Sequence, residues 1–94
     1  MGVEWQPIAR SDRNGQIAYI AERNPRAALN MSDLIDAATT RLIDHPNLGR
    51  PGRVTGTREL VVTGTPYVVI YRVEIASVEI LRLMHGAQRW PPKR

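Results

Sequence analysis

The sequence predicts an α+β fold, a two-helix hairpin packed on a small antiparallel β-sheet, and three observations lead there. Apolar residues recur at three- and four-residue steps through 25–44, the period of a helix with one buried face. Three β-rich runs (57–63, 67–74 and 78–84) then follow across links of only a few residues, which favours antiparallel hairpins. A chain of 94 residues builds one core, so 1–94 reads as a single domain. Helices segregated from an antiparallel sheet give two layers.

In chain order, 3–6 reads as a short strand ended by Pro7, and 9–23 as a first helix with Ile17, Ile20 and Ala21 on one face. Gly15 lies inside that helix, where it costs about 1 kcal/mol relative to Ala. Asn24-Pro25 breaks the chain, and Pro25 opens the next helix because its missing donor is harmless there. The second helix, 25–44, carries Ala27, Met31, Leu34, Ile35, Ala38 and Leu42 as its apolar stripe. A loop dense in Gly, Pro and Arg follows at 48–56. Among the strands, 67–73 is apolar on both faces until Arg72, as a central strand covered on both sides would be. One sheet face receives the helices. The other is left open unless something further covers it.

The formal charge of +4 is unevenly placed. Up to Asn47 the chain carries about −1, and from Leu48 onward about +5. Nearly all the cations are Arg, whose planar fork suits carboxylate or phosphate. The pattern suggests an anionic partner, nucleic acid or an acidic protein segment; the plainer alternative is an Arg-rich composition from a high-GC genome. There are no cysteines, which excludes disulfides and thiolate metal sites and fits a reducing compartment. No apolar signal region opens the chain and no stretch approaches transmembrane length, so a soluble cytoplasmic protein with no membrane partner is expected.

Candidate chemistry lies in the second half. Arg72, Arg82 and His85 are the candidate catalytic residues, because cations beside an imidazole stabilise a pentavalent phosphate while the imidazole moves a proton. As antiparallel neighbours, Arg72 and Arg82 fall near opposite ends of their strands and need not cluster. Arg50, Arg53, Arg58, Arg89 and Trp90 are candidates for binding nucleic acid or a partner. Trp90 equally reads as packing the tail back onto the sheet. His45 and His85 lack metal-site spacing, and no phosphate-binding glycine loop, nucleophile elbow or DNA-reading motif is present. Neither metal nor cofactor is expected.

The run from Gly49 to Val62, the strand Pro66-Tyr-Val-Val-Ile-Tyr-Arg-Val, and Val78-Glu-Ile-Leu-Arg-Leu-Met-His-Gly-Ala-Gln-Arg-Trp-Pro resemble the sheet region of RelE/ParE-type toxins. Ile17-Ala-Tyr-Ile-Ala-Glu-Arg-Asn-Pro-Arg-Ala-Ala is similar to that family's helical hairpin. The resemblance implies a toxin of a type II toxin–antitoxin pair, silenced by an antitoxin whose acidic C-terminal segment wraps it. It implies one of two targets, DNA gyrase for ParE-like members or ribosome-bound messenger RNA for RelE-like ones. Whether the chain is an enzyme follows that choice. The positions matching RelE's own basic residues are Glu59, Val61, Val68 and Ala87 here, and no Tyr follows Trp90, which favours the gyrase branch. Other ribonuclease members use His, Glu and Arg, which keeps Arg72, Arg82 and His85 in play.

Overall fold

The computed structural model describes residues 1–86 together with Trp90 and Pro91. The elements run β1 (Gly2–Trp5), α1 (Pro7–Arg23), α2 (Pro25–Asp44), β2 (Arg50–Pro51), β3 (Arg58–Val61), β4 (Tyr67–Val73) and β5 (Ser77–His85). The five strands form one sheet in the order β1-β5-β4-β3-β2, with the helical hairpin on one face. The two-layer α+β arrangement is therefore as expected.

Local chemistry sets the helix boundaries. Pro7 not only ends β1 but also opens α1, two residues earlier than the periodicity suggested, because Pro is preorganised for a first helical turn. Asn24 serves both helices. Its backbone N–H caps α1 by donating to the Ile20 carbonyl, and its Oδ1 accepts from Ala27 N at 3.1 Å to cap α2. The buried face of α2 is Ala28, Ile35, Ala38, Thr39 and Leu42. Leu34, expected in this stripe, is 40% exposed. The face is centred on Ile35 and Leu42, two turns apart, and one residue back from Ile35 swings the side chain to the flank of the helix.

Ala9 of α1 and Ile35, Ala38 and Leu42 of α2 share one core with Tyr67, Val69 and Tyr71 of β4 and Val78, Ile80 and Leu83 of β5. Each fully buried aliphatic side chain contributes about 1.5–3 kcal/mol, so the two central strands hold much of the core. The β3–β4 link turns at Gly64, whose positive φ of 81° suits a residue without Cβ. The short 50–51 strand lies in what the sequence presents as loop, and it pairs with Arg58 and Glu59 of β3.

The sheet is mixed where an antiparallel one was expected. β2, β3, β4 and β5 pair antiparallel, but β1 lies parallel to β5 from Gly2↔Ser77 to Trp5↔Ile80. β1 is joined to the rest of the sheet through two helices rather than a hairpin, and such a crossover permits parallel pairing.

β1 ends too early to cover β5 fully. Gln6 N still donates to Ile80 O, but beyond Ile80 no strand among the described residues lies along that edge. Helix α1 takes over: Asp12 Oδ2 accepts from Leu83 N at 3.1 Å, and Gln16 Nε2 donates to Leu83 O at 2.9 Å. Asp12 and Gln16 stand one helical turn apart, so a helix face completes the hydrogen bonds that a strand would have made. A bulge opposite the Ile70–Tyr71 link, with Leu81 as the extra residue, precedes this clamp.

Gly15 is exposed in the middle of α1, and a Cβ built there meets nothing within 4 Å. Gly15→Ala should raise stability by about 1 kcal/mol, read as a higher urea midpoint at unchanged slope. A lower midpoint would show that the glycine answers a packing need.

Candidate functional site

The sheet face away from the helices is partly roofed by the chain itself. Ile70 and Met84 are almost fully buried there although both lie outside the helix-side core. With Val68 they floor a pocket walled by Arg50, Arg53, Glu59, His85 and Trp90. Four sequence-level candidates (Arg50, Arg53, His85 and Trp90) thus converge from the loop, the end of β5 and the tail. Trp90 lies over the sheet, and its indole Nε1 is buried without a hydrogen-bond partner among the described residues.

Glu59 is the residue that sequence reasoning missed. It is only 7% exposed and holds the roof in place: its carboxylate accepts from Arg50 Nη2 at 3.0 Å and from Arg53 N at 3.2 Å. A buried carboxylate needs such partners. The Arg50 side chain is itself 66% exposed, so its charge stays in contact with solvent. Arg53 makes no ion pair among the described residues, and its guanidinium is the free cation of the pocket wall. His85 ends β5 opposite Tyr67, with the two rings edge to face at 5.7 Å between centroids.

The other arginines are elsewhere. Arg72 lies opposite Glu79 at the far end of β4, five residues from the Tyr67↔His85 pair, a separation of roughly 17 Å along the strand. Its guanidinium pairs with Glu74 and, at 2.7 Å, with Glu79. The Glu79 carboxylate, first by hydrogen bonding, holds Arg72 above arginine's ordinary range, and Arg72 in turn holds Glu79 below the usual carboxylate range. A lowered carboxylate contributes stability above its unfolded pKa, lost as pH falls through the folded one; at this solvent-washed site that contribution is small.

Arg82 is turned to the helices. Its Nε and Nη2 form a bidentate pair with Asp12, at 2.7 and 3.1 Å, and this bond raises the guanidinium above its usual range. Arg58 donates to Gly49 O at 2.7 Å and to Asn47 O at 3.4 Å, fastening the loop before β2. Arg89 falls outside the described residues, as do the terminal Lys93 and Arg94. Among the described residues no cluster of three or more His, Cys, Asp or Glu is placed to hold a metal, and no helix is long and apolar enough to cross a membrane.

The pocket is therefore cationic and apolar-floored, with a histidine on its rim. It is suited to binding an anionic or aromatic group, but Arg72, Arg82 and His85 do not meet around one reacting atom.

Comparison with known proteins places this architecture. The chain is 41% identical over 91 residues to protein Y4kP of Sinorhizobium fredii, covering 95% of this chain and 92% of that one. It is 36% identical over 83 residues to Toxin RelE1 of Caulobacter vibrioides, covering 86% and 88%. Among solved structures it superimposes on the chromosomal ParDE toxin–antitoxin system of P. aeruginosa with a TM-score of 0.80 at 25% identity, covering 90% of this chain and 95% of that one. Residues 3–90 match the model of the ParE toxin of the type II toxin–antitoxin system parDE. That match spans nearly the whole fold described above, and the chain belongs to the ParE family of type II toxin–antitoxin toxins.

Proposed function

We propose that this toxin, when free of its antitoxin, arrests growth by binding DNA gyrase, without catalysing a reaction of its own. The observation that carries this reading is the dispersal of the candidate catalytic groups. Arg72 and His85 lie at opposite ends of adjacent strands, and Arg72 and Arg82 are occupied by carboxylates. General acid–base and electrostatic catalysis need their groups within hydrogen-bond reach of one reacting centre. A binding inhibitor needs only an exposed, chemically distinctive surface, which the basic second half supplies. An antitoxin whose acidic segment covers the toxin is the matching partner; the ParDE neighbour is a toxin–antitoxin system, and a thin single core gains stability by such binding.

Cleavage of ribosome-bound messenger RNA is the second reading. The meeting of Arg50, Arg53 and His85 at one pocket favours it, as does the likeness to a relative named RelE1.

The deciding experiment induces the chain without antitoxin, maps messenger RNA 5′ ends and follows gyrase-linked DNA breaks in the same culture. Broken DNA with intact messages is expected; new cuts at ribosome-occupied codons would overturn the gyrase reading. His85→Ala should leave gyrase poisoning within about twofold of wild type, whereas loss of a general acid or base would cost a nuclease about 10²–10⁴-fold. Dose–response curves of growth inhibition separate the two.

A further inference from the structure

The link between β4 and β5 carries a residue that the fold does not call for. Glu74 N donates to Ser77 O at 2.8 Å, and Ile75 and Ala76 make the bend beyond that bond. Bends of this kind favour Gly, Asn, Asp and Ser, yet Ile75 stands at the tip, fully exposed. Val73, 37% exposed, and the exposed Ala76 extend the apolar surface behind it. An isoleucine held in water forgoes the stabilisation that burial would bring, and it adds nothing to the core.

The charge around the tip is opposite to that of the chain. Glu4 of β1 lies beside Glu79 in the parallel register, Arg72 lies opposite Glu79, and Glu74 opens the link. Three carboxylates thus surround one guanidinium, in a protein whose net charge is +4. Arg72 is shared between Glu74 and Glu79. Glu4 is exposed and takes part in none of the ion pairs among the described residues. Arg58, opposite Tyr71 on the neighbouring strand, is committed to the Asn47 and Gly49 carbonyls.

We propose that this hairpin tip docks on DNA gyrase, with Ile75 inserted in an apolar socket whose rim carries Lys or Arg facing Glu4 and Glu74. The inference rests on the gyrase reading above and deepens it by naming the contact surface. Charge selects the occupant. The carboxylates repel nucleic acid and an acidic antitoxin segment alike, and a second copy on a twofold axis would set Glu4 and Glu74 against themselves. A basic protein surface instead gives Glu4 the partner it lacks. An apolar centre within a polar rim is also the general anatomy of a protein contact. The tip stands at the opposite end of β4 from the pocket of Arg50, Arg53 and His85, so the two surfaces can be altered independently.

The test measures binding of the full chain to purified gyrase holoenzyme, with urea denaturation of each variant alongside. Ile75→Asn should weaken binding at least tenfold without lowering the urea midpoint, because asparagine suits a bend. Glu4→Lys should weaken it about fivefold at low salt through slower association, and the loss should shrink as salt rises. Either variant binding gyrase within twofold of wild type at low salt overturns this docking surface and leaves the gyrase reading standing. If such a variant loses the antitoxin instead, the tip belongs to that partner. Failure of the wild-type chain to bind gyrase overturns both readings. A homodimer in sedimentation that Ile75→Asn dissolves would assign the tip to a second copy and overturn the proposal as well.

Discussion

Replacing Asp12 with alanine is expected to lower the free energy of unfolding by about 2–4 kcal/mol, because it strands a partly buried guanidinium and an edge amide together. Asp12 accepts three hydrogen bonds, two from Arg82 and one from Leu83 N. Its side chain is 15% exposed and that of Arg82 19%, so water compensates for only part of the loss. The damage should also be local. The Leu83 peptide is where α1 substitutes for the missing length of β1, and β5 runs from there to Met84 and His85 at the pocket. Amide exchange at Leu83 should therefore accelerate more than exchange at Val78, which β1 still covers. Asp12→Asn keeps an acceptor for Leu83 N but loses the charge, and should fall between wild type and Asp12→Ala. Urea denaturation measures the set. A cost for Asp12→Ala below about 0.5 kcal/mol, the scale of an exposed pair, would show that the clamp does not hold β5.

These contacts mark the boundary of what the sequence discloses. The helix break at Asn24-Pro25 and the central strand with apolar residues on both faces are local properties. Capping chemistry and period predict them without knowledge of the rest of the chain. Asp12 and Leu83 are a different case, since they lie 71 residues apart and nothing near Asp12 signals a distant edge in need of an acceptor. The parallel pairing of β1 is hidden for the same reason, because a four-residue strand has too little alternation to name its neighbour. The bulge at Leu81 is masked by Leu81-Arg82-Leu83, which reads as an ordinary alternating strand. Strict alternation would bury either Val78 with Ile80 or Leu81 with Leu83, not Val78, Ile80 and Leu83 together, and it leaves the Arg82–Asp12 pair unforeseen. At the pocket, the cations and the aromatic were legible as residue types at a strand end. Glu59 was not, because a carboxylate beside arginines in a β-run looks like a solvated pair until the fold buries it. Convergence is a tertiary property, and it gathered Arg50, Arg53, His85 and Trp90 while sending Arg72, Arg82 and Arg58 to pairing and fastening roles.

The second large effect is expected at Tyr71, whose phenol secures the loop that delivers Arg50 and Arg53 to the pocket. Tyr71 is fully buried in β4. Its hydroxyl donates to Pro46 O at 2.7 Å and accepts from Gly49 N at 2.8 Å. Tyr71→Phe keeps the ring in the core but leaves the buried Gly49 N–H with no acceptor, a loss of about 1–3 kcal/mol. The approach is close enough that Gly49 has no room for a side chain. A Cβ there would lie 2.7 and 2.8 Å from Tyr71 ring and hydroxyl atoms and 2.9 Å from the Glu59 carbonyl. Gly49→Ala should therefore cost at least as much as the lost hydrogen bonds, since neither a core ring nor strand backbone can yield cheaply. Alkaline pH tests the same contact without mutation. Burial raises the Tyr71 phenol above its ordinary value of 10.0, outweighing the Gly49 hydrogen bond and the nearby Arg58 charge, which pull it down. A group raised in the folded state stabilises fully below its unfolded pKa and loses that contribution as pH rises through the folded one. Wild-type stability should thus fall as pH climbs above about 10, whereas Tyr71→Phe, already weaker, should show a shallower decline there. Parallel declines in the two proteins would mean that the phenol's proton is not what ties β4 to the loop.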